Sequence, residues 1–204
     1  MMNLKSLLTN NAALLLIFLP VLLLASVQPG DKAPEFELTT IQAETVRLSQ
    51  YKGEIVVLEW FNHGCPFVQK HYKSGNIQKL QQEYTEQDVI WLTIASSAPG
   101  KQGYLTADIA KELELLKNAD PAAVLLDHTG TVGQLYGAQT TPHMFIIDTS
   151  GTVVYNGAID SIRSTDVDDV AKAENYVANA LDALLSGKPV GIKATKPYGC
   201  SVKY

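Results

Sequence analysis

Residues 55–72, IVVLEWFNHGCPFVQKHY, decide the fold that we expect. The apolar run at its start predicts a buried strand, the Asn-His-Gly that follows predicts a tight turn, and Cys65 stands directly before Pro66. Proline is favoured at the first position of a helix, because its missing N–H would have no partner there. A thiol just before that position faces unpaired N–H groups and the positive end of the helix dipole. Both favour the nucleophilic thiolate, so the sequence predicts redox chemistry at Cys65.

Strand and helix patterns alternate along the rest of the chain, which is typical of an α/β fold with a mixed sheet. An extended segment with a short hairpin is expected over residues 29–53, before the strand that leads to Cys65. The predicted strands are 55–60, 89–96, 122–127, 143–148 and 152–159, and the predicted helices are 66–84 with an interruption at Ser74-Gly75, 105–117, a short one within 128–137, and 166–185.

Composition excludes some classes of partner. The 204 residues carry a formal charge of −5, and the sequence pI is about 5.3. Arginine occurs only at Arg47 and Arg163, and the chain has no basic run. We therefore expect no nucleic-acid partner, because nucleic-acid binding needs a basic surface. The hydrophobic content of 46% is normal for a globular protein with a packed core.

The N-terminus predicts a targeting segment. Lys5 supplies a weak positive charge, and residues 12–25 are almost wholly apolar. That run is short for a membrane span, which needs about 20 residues, and it is typical of a secretory signal. We expect a signal peptide over 1–26, a folded domain over 27–187 and a C-terminal tail over 188–204. Export to the periplasm is the main interpretation, and a retained anchor facing the periplasm is the alternative.

The chain has two cysteines, so one intramolecular disulfide is possible. The second, Cys200, lies in a tail without helical or strand periodicity and follows Gly199. Two interpretations stay open: Cys200 is a resolving cysteine on a flexible tail, or it belongs to a structural disulfide that pins the tail. Tyr198 and Tyr204 could anchor the tail by burying their rings.

Five segments carry a family resemblance. They resemble the redoxin group of the thioredoxin superfamily, which holds the thiol-specific antioxidant peroxidases (peroxiredoxin-like) and the TlpA-like thiol–disulfide oxidoreductases. The resemblance implies a thioredoxin-like fold: a central mixed sheet flanked by helices, with an N-terminal hairpin extension. The segments are APEFEL (33–38), VVLEWFNHGCPFVQKHY (56–72), LYGAQTTPHMFIID (135–148), GTVVYNGAID (151–160) and TKPYGCSVKY (195–204).

The resemblance also implies site residues around Cys65. Pro142, after Thr141, matches the cis-proline that faces the active cysteine, and this loop docks the substrate in the family. Glu59 matches a buried acid that could move protons. Phe67 and Trp60 are expected to form core or the wall of a substrate pocket.

The chain departs from the family patterns in three places. Val68 stands where a C-x-x-C motif has its second cysteine. Asn62 and Leu58 stand where a typical peroxiredoxin has the threonine and the proline of its motif. The arginine of a peroxidase site has no clear match, and Arg163 is the one candidate. These departures argue against efficient peroxidase action.

The function that we expect is an exported thiol oxidoreductase that uses Cys65, with Cys200 as a possible resolving thiol. Its substrate would be a protein or small-molecule disulfide or a peroxide, and an external thiol would be its reductant. We expect no organic cofactor. Contact with a membrane is expected only through an uncleaved signal segment. One alternative is a thiol peroxidase. Another alternative is a non-catalytic copper- or protein-binding redoxin, in which His63, His71 and His143 would be the histidines available beside Cys65. The main interpretation includes no metal site.

Overall fold

A computed structural model describes residues 26–204; the predicted signal segment lies outside the described residues except for Ser26. Seven strands form one sheet, and two further short strands form a separate pair. No helix within 26–204 is long and apolar enough to span a bilayer. The strands are β1 (Glu37–Thr40), β2 (Thr45–Arg47), β3 (Val56–Trp60), β4 (Ile90–Ala95), β5 (Ala123–Leu126), β6 (Thr140–Thr141), β7 (His143–Ile147), β8 (Val153–Gly157) and β9 (Cys200–Ser201), and the α-helices are α1 (Pro66–Lys73), α2 (Asn76–Thr85), α3 (Ala107–Glu112), α4 (Glu114–Lys117), α5 (Thr131–Tyr136) and α6 (Tyr176–Leu185).

The sheet has the order β2-β1-β5-β4-β3-β7-β8. The three central strands β5, β4 and β3 are parallel, and the strands on both sides of them are antiparallel. The expected central mixed sheet is therefore confirmed, and so is the N-terminal hairpin, which β1 and β2 form. The carboxyl end of β3 delivers the chain to the turn before Cys65 at the middle of the sheet.

Helices cover both faces of the sheet. Alternate residues of β3 face opposite sides: Val57 packs with α1, α2 and α6, whereas Leu58 packs with α5 and the N-terminal segment. All five residues of β3 are buried, as expected for a strand at the centre of a covered sheet. Glu59 lies on the α1 side, and Trp60 lies on the α5 side.

Two predicted helices are divided in the structure. The predicted helix 105–117 is broken at Leu113, which has extended dihedral angles between α3 and α4. The predicted helix 166–185 begins late: residues 167–172 form a 3-10 helix, and α6 starts after Asn175, whose side chain caps it by accepting from the Ala178 N–H. The expected interruption at Ser74-Gly75 is confirmed, since α1 ends there and α2 begins.

The C-terminal tail, residues 188–204, is docked along much of its length. Its end forms β9, which pairs with β6 beside Pro142. The tail also joins the edge of β8 through the backbone of Asn156, at Lys193 and Thr195. A tail without strand periodicity in its sequence thus forms a short strand, because its backbone hydrogen-bond partners lie far away in the sequence.

Candidate active site

Cys65 is the N-cap residue of α1, and Pro66 is the first helical residue, as predicted. The Cys65 carbonyl accepts the first intrahelical hydrogen bond, from the Gln69 N–H at 2.9 Å. The thiol itself is directed into the protein, and the Cys65 residue is 0% exposed. Its surroundings therefore control both its ionisation and its access to other molecules.

The turn before Cys65 is shaped by the side chain of Asn62. The Asn62 Oδ1 atom accepts from the Gly64 N–H at 2.9 Å, and the Nδ2 atom donates to the carbonyl of Gln102 at 3.1 Å. The Asn62 carbonyl also accepts from the Cys65 N–H at 3.0 Å. Asn62, which stands at the position of the peroxiredoxin threonine, thus stabilises the turn with its side chain.

The loop that contains Pro142 packs directly against Cys65. The Thr141-Pro142 peptide bond is cis, as the resemblance implied. The Cys65 thiol donates to the Thr141 carbonyl at 3.0 Å. The hydroxyl of Thr141 is buried and has no other partner among residues 26–204, so it is free to donate to a Cys65 thiolate.

Cys200 lies beside Cys65. Cys200 is the partner of Thr141 in the β6–β9 pair, and its thiol is close enough to act on Cys65 as a hydrogen-bond donor. Both cysteines are free thiols in the structure, Cys65 buried and Cys200 half-buried. The structure therefore brings together two cysteines that are far apart in the sequence, as a disulfide between them requires.

The surroundings of the two thiols shift their pKa values in opposite directions. Burial acts to raise the pKa of Cys65, but hydrogen bonds from Cys200, from the Val68 N–H and from Thr141 outweigh it, so the pKa of Cys65 lies below its usual value. The pKa of Cys200 is raised by burial and by the adjacent Cys65 thiol. Cys65 is therefore the thiol that ionises first, and Cys200 keeps its proton.

Glu59 is a fully buried carboxyl group on the α1 side of β3. It accepts hydrogen bonds from Tyr72 at 3.0 Å, Trp91 at 2.9 Å and Thr93 at 3.2 Å. Burial raises the pKa of Glu59 to about 7, although these hydrogen bonds act to lower it. The carboxyl group can therefore gain and lose a proton near neutral pH, on the same side of the sheet as Cys65.

Three further residues considered in the sequence analysis, Phe67, Trp60 and Arg163, lie in different parts of the fold. Phe67 is half-buried, and its ring packs against Tyr198 at 5.7 Å between centroids. Trp60 is fully buried on the opposite side of the sheet, where its Nε1 donates to Ser96 at 3.0 Å. Of the two expectations for Trp60, core or pocket wall, its position on the side of the sheet away from Cys65 fits core. Arg163 is exposed, whereas Cys65 is fully buried.

The three histidines of the metal hypothesis have hydrogen-bond environments of their own. In His143, Nδ1 accepts from the Gln139 N–H at 3.2 Å, so Nε2 carries the proton and donates to Asn156 at 2.6 Å. His71 contacts Asn76 and Tyr198 with its two nitrogens. Burial lowers the pKa of both rings to about 4, and it also lowers that of His63. Residues 26–204 contain no group of three His, Cys, Asp or Glu side chains placed to hold a metal ion.

Sequence reasoning missed the polar groups that fix the tail next to α1. Asp160, Lys70 and His71 are buried: Asp160 and His71 contact the hydroxyl of Tyr198, and Lys70 pairs with Asp160 and lies over the tyrosine ring. The one available signal was the placement of Tyr198 two residues before Cys200. Its polar partners come from α1 and from the segment after β8, which the sequence alone does not bring together.

In this structure a cysteine follows a central strand of a mixed sheet, caps the next helix and faces a cis-proline loop. This arrangement defines the class of thioredoxin-like redoxins. The AhpC/TSA family matches residues 29–156, and the chain belongs to this family.

The chain is also similar to individual proteins. The chain is 25% identical over 127 residues to the thioredoxin-like protein YneN of Bacillus subtilis, a match that covers 62% of this chain and 69% of that protein. Among solved structures it is similar to an uncharacterised conserved protein from Geobacillus kaustophilus, with 29% identity, a TM-score of 0.71 and coverage of 86% and 92%. A hypothetical protein from Sinorhizobium meliloti 1021 has 24% identity, a TM-score of 0.73 and coverage of 88% and 96%, and shares the fold.

Proposed function

We propose that the protein is an exported thiol–disulfide oxidoreductase in which Cys65 attacks and Cys200 resolves. The observation that carries this proposal is the placement of Cys200 beside Cys65, with the pKa of Cys65 lowered and that of Cys200 raised. A low pKa on the attacking thiol and a retained proton on its partner give the two cysteines different tasks.

The reaction proceeds in two exchange steps. The Cys65 thiolate attacks one sulfur of a substrate disulfide, which forms a Cys65–substrate disulfide and releases the other substrate sulfur as a thiolate. Cys200 then loses its proton and attacks the Cys65 sulfur, so that the Cys65–Cys200 disulfide forms and the second substrate thiolate leaves. The substrate gains two electrons, and the two cysteines lose two. An external thiol restores both cysteines by the same steps in reverse.

The neighbouring residues support these steps. The Thr141 hydroxyl stabilises the Cys65 thiolate, since it has no other partner among the described residues. Glu59, with its pKa near 7, is suited to accept or return a proton on the α1 side of the sheet. The apolar N-terminal run favours export, and a disulfide-forming pair persists in an oxidising compartment such as the periplasm.

A thiol peroxidase is the second candidate, because the AhpC/TSA family match favours it. In that case the Cys65 thiolate would attack the peroxide, form a sulfenic acid and release an alcohol or water, and Cys200 would displace water to form the same disulfide. Asn62 argues against high peroxidase rates, since its side chain is engaged by Gly64 and Gln102 and it offers no hydroxyl.

Stopped-flow kinetics separate the two candidates. Pre-reduced protein is mixed anaerobically with oxidised glutathione or with hydrogen peroxide, and oxidation is followed by tryptophan fluorescence and quenched-flow mass spectrometry. We expect faster reaction with the disulfide, no reaction for Cys65→Ser, and a stable glutathione adduct on Cys65 for Cys200→Ser. A much faster reaction with peroxide would replace the proposal by the peroxidase.

A further inference from the structure

The C-terminal tail lies against the Cys65 thiol through Cys200. Cys65 is 0% exposed, although it stands at the end of a turn where a nucleophile would ordinarily meet its substrate. Beyond Cys200 the tail is held by backbone hydrogen bonds from Val202 to Gln139 at 3.1 Å and from Ala98 to Lys203 at 2.8 Å. A substrate as large as a disulfide therefore reaches Cys65 only when groups packed against the thiol move, and Cys200 of the tail is one of these groups.

A buried ion pair lies under the tail segment that precedes Cys200. Lys70 of α1 contacts the Oδ2 atom of Asp160 at 3.1 Å and donates to the carbonyl of Ile162 at 2.9 Å. The side chains of Lys70 and Asp160 are 0% and 3% exposed. Through Lys70, the pair is attached to α1, the helix that Cys65 caps.

Tyr198 connects the tail to this pair. Its hydroxyl donates to the Oδ1 atom of Asp160. The same hydroxyl lies 3.4 Å from the Nε2 atom of His71, which carries the ring proton because Nδ1 faces the amide nitrogen of Asn76 at 3.0 Å. The tyrosine ring packs on Phe67. Every polar atom in the chain His71–Tyr198–Asp160–Lys70 has a partner, so opening the tail would leave buried polar groups without theirs.

We propose that Tyr198 is a positioning residue that latches the tail closed over Cys65, with Cys200 held against the thiol, through its hydrogen bond to the buried Asp160–Lys70 pair. This proposal rests on the proposed function in one respect: Cys200 is taken as the resolving cysteine, which the closed tail presents to Cys65. Reaction with a substrate then requires release of the latch, and resolution requires its return.

Tyr198→Phe is the sharpest test, because it keeps the ring on Phe67 and leaves the Asp160–Lys70 pair intact. A hydrogen bond to a charged group is strong enough to shift an opening equilibrium by about tenfold. The matched control is Tyr84→Phe, which removes a hydroxyl bonded to Asp182 at 2.8 Å, away from the tail.

The measurement is the alkylation rate of Cys65 by iodoacetamide in a Cys200→Ser background, across a pH series so that changes in thiol ionisation are separated from changes in access. We expect Tyr198→Phe to raise the limiting rate at high pH by about tenfold and Tyr84→Phe to leave it within twofold, at similar melting temperatures. An unchanged rate in Tyr198→Phe, or an equal rise in both variants, would overturn the proposal. Because Cys200 is absent, this result is independent of whether the Cys65–Cys200 disulfide forms.

Discussion

Thr141 and Cys200 are direct partners in the antiparallel pair that the C-terminal tail forms with the loop of Pro142. The carbonyl of Thr141 accepts from the Cys65 thiol at 3.0 Å, so one short backbone segment contacts both cysteines. The positions of the two thiols are therefore coupled, since any change that moves the tail away from Thr141 also removes Cys200 from Cys65.

Gly199 makes that pairing possible, and we expect Gly199→Ala to disrupt it. Gly199 has φ +146°, and a Cβ atom there would lie 2.0 Å from the Thr141 carbonyl oxygen, which is backbone and cannot give way. Gly191→Ala is the matched control, because a Cβ at Gly191 meets nothing within 4 Å. In a glutathione redox buffer, the fraction of protein with the intramolecular disulfide should fall several-fold for Gly199→Ala only. Equal fractions in the two variants would show that the β6–β9 pair is not needed.

Thr141→Val should weaken the Cys65 thiolate. Removing the hydroxyl takes away a donor that has no other partner in the described part of the chain. In a Cys200→Ser background, where the serine hydroxyl takes the place of the Cys200 thiol as donor, we expect the midpoint of Cys65 alkylation against pH to lie below the free-thiol value of about 8.5. Thr141→Val should raise this midpoint by about 0.5–1 pH unit. Thr140→Val, which removes a hydroxyl bonded to the Pro142 carbonyl, serves as control and should leave the midpoint unchanged. A midpoint at or above the free value before substitution would refute the activated thiolate.

Glu59→Gln should change how stability depends on pH. The pKa of Glu59 is about 7 in the folded protein, against 4.5 for the free group. Between these values the unfolded state releases a proton that the folded state keeps, so the free energy of unfolding falls as pH rises, by about 3 kcal/mol in all. In Glu59→Gln the free energy of unfolding lacks this decrease with pH. His71 and His143, with pKa values of about 4, contribute the same pH dependence to both proteins.

Urea unfolding at pH 4.5 and pH 8 measures the Glu59 effect as the difference between the wild type and Glu59→Gln. We expect the variant to gain stability relative to the wild type on going from the lower to the higher pH. A difference that is the same at both pH values would mean that Glu59 is already ionised at the lower pH in the folded protein.

Lys70→Met should destabilise the fold strongly. It leaves the Asp160 carboxylate buried without its cation, and breaking a buried pair in this way costs about 3–5 kcal/mol. Lys117→Met removes an exposed pair with Glu114 and should have little effect. Urea unfolding at pH 7 compares the two variants, and similar small losses in both would show that the Asp160–Lys70 pair contributes little to stability.

The local features of the site could be predicted from the sequence because short-range chemistry determines them. The order of apolar strand, turn, Cys65 and Pro66 specifies a capped helix, and the Ser74-Gly75 pair marks the break between α1 and α2. By contrast, alternation could not orient β3, since all five of its residues are buried. The signal for Trp60 was its position next to Glu59, since neighbouring residues of a strand face opposite sides of the sheet.

The position of the tail could not be predicted, because its contacts are long-range. Tyr198 meets Asp160 and Lys70, which lie 38 and 128 residues before it in the chain. Nothing in the composition of 188–204 indicates a strand, and β9 exists because β6 offers a free edge beside Pro142. The late start of α6 has a similar cause: the Tyr176 N–H bonds to the Ile159 carbonyl at 2.9 Å, which holds the preceding segment out of the helix.

Disulfide mapping of the oxidised protein tests the central claim most directly. The reduced protein is treated with a slight excess of oxidised glutathione, quenched with acid, digested, and analysed by mass spectrometry with and without dithiothreitol. The account predicts a Cys65–Cys200 cross-linked peptide that dithiothreitol converts to two free peptides. A stable glutathione adduct on Cys65 with Cys200 still a free thiol, or a Cys65–Cys65 dimer, would contradict it.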